Sequence, residues 1–201
     1  MLPVVGALRS SYPLTLVLVL AALPLLSACK SDDDLPEIFV VRPFTLTDSN
    51  GDPFSSDTLR GHVWIANFMF TSCTSICPLL TTHVANLQRR LADTDVRFVS
   101  ITVDPEVDTP ATLAAYAERH GADPERWSFL TGPTQEVRRV VVEILHGRMG
   151  QPDDRRPGFD IAHSGKLLLV DRHGVVRGQY DTDRAGLVAI ERDARHLAAG
   201  P

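Results

Sequence analysis

The stretch His62-Val-Trp-Ile-Ala-Asn-Phe-Met-Phe70, continuing through Thr71-Ser-Cys-Thr-Ser-Ile-Cys77 into Pro78-Leu-Leu-Thr-Thr-His-Val-Ala-Asn-Leu-Gln-Arg-Arg-Leu91, decides the fold class. Its opening is nearly continuous apolar, the pattern of a strand buried on both faces. Pro78 suits the first turn of a helix. Leu79, Leu80, Val84, Leu87 and Leu91 then recur at helical spacing. Val96 to Val103 is the next buried strand, so Val63 to Val103 reads as a right-handed βαβ unit. Working outward, Arg42 to Asp48 alternates apolar and polar residues and ends at the turn signal Asn50-Gly51. Asp108 or Thr109 caps a helix from Pro110 to Gly121. Trp127 to Leu130 is a short strand, and Thr134 caps a helix running to Leu145. Gly147 to Gly158 reads as a loop. Lys166–Val170 and Val175–Tyr180 flank the turn Asp171-Arg-His-Gly174, a hairpin, and a last helix runs from about Asp183 to Leu197. Strands alternating with helices predict an α/β layered fold.

The composition allows one domain with its own core. There are 201 residues, 44% of them hydrophobic, and the formal net charge is -5. This excludes disordered, collagenous and coiled-coil classes and offers no basic footprint for nucleic acid. Arg9 is the only charge in the first 28 residues, and Leu14–Leu26 is an apolar run broken by Pro24. That run falls short of the roughly 20 residues a spanning helix needs and has the length of a signal-peptide core. It ends in Leu26-Ser-Ala-Cys29, which resembles the lipobox of a bacterial lipoprotein and implies cleavage before Cys29 and acylation of its sulfur. The expected organisation is a signal peptide over residues 1–28, a lipidated tether over 29–38 and a folded domain over 39–201. The product is an exported, membrane-anchored lipoprotein facing the periplasm or extracytoplasmic side.

With Cys29 so used, Cys73 and Cys77 remain of the three cysteines. They lie between a buried strand and a helix, where exposed backbone N–H groups favour an anionic thiolate. A thiolate is both a better metal ligand and a faster exchanger. The three residues between the cysteines let the loop curl so that both sulfurs point at one spot. In an exported protein such a pair can also exist as a disulfide. Two soft thiolates suit Cu(I), and imidazole suits both copper states. Spacing alone leaves His62, His83, His120, His146, His163, His173 and His196 all open as a third ligand.

Three segments carry a family resemblance: Phe68 to Pro78 with its cysteine pair, Val99-Ser-Ile-Thr-Val-Asp104-Pro105-Glu-Val-Asp108-Thr-Pro110, and Asp160-Ile-Ala-His163-Ser164 leading into Lys166 to Asp171. In this order they resemble the motifs of the Sco/SenC family. The resemblance implies a thioredoxin-like fold, a central mixed sheet flanked by helices with an added hairpin. It implies Cys73, Cys77 and His163 as copper ligands, a Cys73–Cys77 disulfide in the oxidised form, and Asp104 as an acidic residue near the site. Thr74 stands where many relatives have proline, which changes loop stiffness and leaves the ligands in place. The implied function is a copper-binding metallochaperone for the dinuclear centre of cytochrome c oxidase. Its implied partners are the copper-carrying oxidase subunit and another copper chaperone. The alternative is a membrane-anchored thiol-disulfide oxidoreductase that reduces the cysteines of that centre. A thiol peroxidase would need an arginine near Cys73 and the neighbouring run has none. A closed structural zinc site would need a fourth ligand.

Overall fold

The apolar run around Trp64 lies at the centre of a mixed sheet. The computed structural model describes residues 35–73, 77–149 and 165–200, within the unit Asp32–Pro201. In chain order the strands are β1 (Phe39–Val40), β2 (Thr45–Asp48), β3 (Pro53–Ser55), β4 (Trp64–Met69), β5 (Arg97–Thr102), β6 (Trp127–Thr131), β7 (Lys166–Val170) and β8 (Val175–Asp181). The helices are α1 (Cys77–Arg90), α2 (Pro110–Arg119), α3 (Thr134–Arg138) and α4 (Arg184–Ala199). Strand order across the sheet is β1-β8-β7-β4-β5-β6-β2-β3. β4, β5 and β6 run parallel, and all other pairs are antiparallel.

All six β4 residues are buried, because helices cover both faces of the parallel centre, as such sheets require. Register places Asn67 beside Ser100 and Ser100 beside Phe129 on one face. Tyr116 of α2 lies edge-on to Phe129, with ring centroids 6.1 Å apart, and its hydroxyl bonds Thr81 of α1 at 2.8 Å. α1 is tied to α4 through Arg90–Glu191 at 3.1 Å. Phe68, one residue on from Asn67, points to the other face, and Gly147, just beyond α3 and its continuation, sits directly on its ring. Buried polar side chains on the first face pair with each other: Ser100 Oγ donates to Asn67 Oδ1 at 2.7 Å and accepts from Trp127 Nε1 at 2.9 Å.

Several expectations are met with small boundary shifts. The Asn50-Gly51 signal closes the β2–β3 hairpin, where Gly51 takes φ +89°, and Gly174, at φ +81°, closes β7–β8. Asp183 caps α4 by accepting the Gly186 N–H at 2.7 Å. One cap differs from expectation, and one is decided between two candidates. Thr134 is the first helical residue rather than the cap, because Pro133 occupies that position and no side chain caps α3. Thr109 Oγ1 caps α2 by accepting the Thr112 N–H at 3.3 Å, so Asp108 is not the cap and serves elsewhere. The helix expected to reach Leu145 is α only to Arg138 and continues as a π turn, Arg139–Ile144. Strand β1 was not expected. Most of the loop expected over Gly147–Gly158 lies outside the described residues, as do Cys29 and the leader. Among the described residues no helix is long and apolar enough to cross a membrane.

Candidate metal centre

At the carboxyl end of β4 the chain leaves the sheet through Phe70 and Thr71, makes a tight turn and reaches Cys73. The turn is closed by a long hydrogen bond, Cys73 N–H to Phe70 C=O at 3.4 Å. Cys73 is 6% exposed and is not joined in a disulfide. The expected Cys73–Cys77 disulfide is therefore not formed in this structure. α1 begins at Cys77, so the backbone of the second cysteine stands where a helix presents its unsatisfied N–H groups. Residues 74–76, the Cys77 side chain and His163 lie outside the described residues.

The adjacent parallel strand β5 ends beside the same edge, with Met69 level with Thr102. One further rung joins the exits, Val103 N–H to Met69 C=O at 2.9 Å. Asp104 follows at once and is 5% exposed. Its N–H donates to Thr102 Oγ1 at 2.9 Å. Its carbonyl accepts from Val107 at 3.1 Å and Asp108 at 2.9 Å. Asp104 thus opens a turn, the role its local sequence suggests, and it does so buried at the sheet edge where ligand sites of α/β folds gather.

The residue that sequence reasoning missed is Asp108. It is fully buried and receives the Thr71 N–H at 3.1 and 3.3 Å, the Thr71 hydroxyl at 2.5 Å and the Thr102 hydroxyl at 2.5 Å. The available signal was two possible caps in tandem before Pro110, of which a helix uses one.

The described histidines have other surroundings. His62 Nδ1 lies 3.6 Å from Asp95. His83 lines a groove of about 430 Å³ between α1 and the start of α4. His120 ends α2 with its ring tilted against that of Tyr116, centroids 4.3 Å apart, and burial, then the nearby Arg119 charge, holds its imidazole below the ordinary range. His146 meets the Phe39 ring edge-on, His173 is at the β7–β8 turn and His196 is in the last turn of α4. Among the described residues no three His, Cys, Asp or Glu side chains gather as a metal site. What is described is a buried soft donor, Cys73, with a buried carboxylate on the neighbouring loop, which fits a thiophilic ion better than a hard one.

Comparison with known proteins agrees with this chemistry. The family described as SCO1/SenC matches residues 33–198. A SCO1 protein homolog of Bacillus subtilis is 35% identical over 150 residues, covering 73% of this chain and 76% of the relative. Among solved structures, BsSco, described as a member of the Sco family of cytochrome c oxidase assembly proteins and the subject of a disulfide-switch study, superposes with TM-score 0.72 at 30% identity. It covers 83% of this chain and 97% of its own. Copper-bound ScoI of Bradyrhizobium japonicum superposes with TM-score 0.65 at 26% identity, covering 79% and 99%.

Proposed function

The chain belongs to the SCO1/SenC family, and from that premise we propose that it is a copper-binding metallochaperone assisting assembly of the dinuclear copper centre of cytochrome c oxidase. Its fold is the thioredoxin-like fold of its structural neighbours. The observation that carries the reading is the buried Cys73 thiol at the carboxyl edge of β4, just ahead of the helix that Cys77 begins. Copper is cargo here rather than a resident cofactor.

In this proposal Cys73 and Cys77 hold the ion as thiolates and His163 supplies an imidazole. Three protein donors leave the coordination sphere open to an incoming ligand from the recipient, which suits transfer rather than a closed structural site. Asp104 adds a carboxylate beside the donors and can orient an imidazole. The metal displaces the thiol protons, so loading needs the reduced pair. We extend the proposal to the chain's start: Leu26-Ser-Ala-Cys29 is a lipidation site, residues 29–38 are a tether, and the domain works on the extracytoplasmic face of a membrane, with the oxidase copper subunit and a copper donor as partners. Cys29→Ala should then leave the protein unprocessed or soluble, read by membrane fractionation and mass of the N-terminus.

The experiment that tests the function is His163→Ala in cells and in the purified chain. Disulfide exchange proceeds by thiolate attack on sulfur and needs no imidazole, so it should stay within a few-fold. Cu(II) binding and support of oxidase assembly should both be lost. Full assembly without Cu(II) binding would overturn copper delivery in favour of the thiol-reductase reading.

A further inference from the structure

A neutral hydroxyl or amide could join two strand ends with less desolvation cost than a buried carboxylate. The fold nevertheless buries Asp108 completely, on the Asp104 turn and bonded to Thr71 in the turn that leads to Cys73. Resting on the copper reading above, we propose that Asp108 is a positioning residue for the metal site. Its carboxylate clamps the Cys73 turn to the Asp104 loop and fixes the direction in which the Cys73 sulfur meets the ion.

The geometry supplies the argument. Three donors converge on one carboxylate. Two of them, the N–H and the hydroxyl of Thr71, belong to the residue two places before Cys73. The third, the Thr102 hydroxyl, passes the tie on, because the same oxygen accepts the Asp104 N–H. The carboxylate is itself carried on the turn that Asp104 opens, through Asp108 N–H to Asp104 C=O at 2.9 Å. The closing bond of the Cys73 turn, at 3.4 Å, is longer than a well-formed N–H···O bond. The Asp108 side chain holds Thr71 at both its N–H and its hydroxyl, so it ties the turn to the Asp104 loop independently of that long bond. A soft donor fixed in direction binds without first losing rotational freedom, and groups that orient ligands typically change affinity by about 10–100-fold.

The test uses the purified, reduced full chain. Asp108→Asn keeps the shape and replaces one acceptor oxygen with a donor. Thr71→Val removes only the hydroxyl, and Thr71→Ser restores it. The readouts are Cu(I) affinity by chelator competition and the Cu(II)–thiolate charge-transfer spectrum, with thermal melting alongside. Asp108→Asn and Thr71→Val should each weaken copper about 10–100-fold and shift the charge-transfer band, Thr71→Ser should recover both, and the double variant should lose less than the sum of the singles. If Asp108→Asn does not fold, Thr71→Val against Thr71→Ser decides alone. Lower melting temperatures with unchanged spectra and affinities would make Asp108 a stabilising tie and overturn the proposal. Failure of the wild-type chain to bind copper would overturn the copper reading and this inference with it, whereas wild-type binding with unaltered variants overturns the inference alone.

Discussion

Replacing Ser100 by alanine should be among the costlier single-atom deletions in this protein. The hydroxyl sits on β5 with 1% exposure and joins two other buried groups, Asn67 at 1% and Trp127 at 3%. It donates to Asn67 Oδ1 at 2.7 Å and accepts from Trp127 Nε1 at 2.9 Å. Removing it leaves a buried indole N–H and a buried amide oxygen without these partners. Asn67 Nδ2 has no hydrogen-bond partner among the described residues, so that side chain has nothing in reserve. A stranded buried donor or acceptor costs about 1–3 kcal/mol. Two in contact are not fully additive, which gives about 3 kcal/mol. For a domain of this size each kcal/mol lowers Tm by about 2–4 °C, or about 6–12 °C in total. Urea unfolding followed by tryptophan fluorescence measures the loss and also reports the Trp127 environment. A double-mutant cycle with Trp127→Phe isolates the Ser100–Trp127 coupling, which should be about 1 kcal/mol or more. A loss below about 0.5 kcal/mol with an unchanged emission maximum would refute the claim that this network bears on stability.

Gly147→Ala should destabilise by about 1–3 kcal/mol, the usual penalty of overpacking, because the new methyl falls inside contact distance of the buried Phe68 ring; urea unfolding checks it. Burial, then the Arg119 charge, holds the His120 imidazole below its ordinary value of 6.5 in the folded chain, so between the two values the unfolded chain binds more protons and stability rises with pH. That stability is fully present above about pH 6.5 and is lost as pH falls toward the folded value. A His120→Asn variant should therefore show a flatter dependence of Tm between pH 7 and about 5 than the wild type.

Much of this fold is legible in the sequence because its centre is written in two clean periods. Continuous apolar residues in β4 and β5, and helical spacing between them, define the unit that carries the site. β1 was not legible: two residues make no period, and they form a strand only because β8 offers Phe39 and Val40 a partner. The π turn was hidden for a different reason. Val140, Val141, Ile144 and Leu145 present a buried stripe that suits α and π windings alike. In the proposed site, Cys73 and Cys77 announce themselves by residue type and by their strand-to-helix position. Choosing His163 among seven histidines needed the family resemblance, since spacing carries no information across a fold. Asp108 stood as one of two candidate caps because an Asp before a Thr-Pro helix start looks like a cap whether it caps or not. Only the tertiary approach of Thr71 distinguishes the two uses.

The central claim, that a reduced Cys73/Cys77 pair is the copper-holding part of this chain, is tested most directly by Cu(I) titration of the full chain in both redox states, with Cys73→Ser beside it. The account predicts about one tightly held Cu(I) per reduced chain, and loss of that tight binding both on oxidation of the pair and in Cys73→Ser. Oxidised protein, or Cys73→Ser, binding Cu(I) as tightly as the reduced wild type would contradict it.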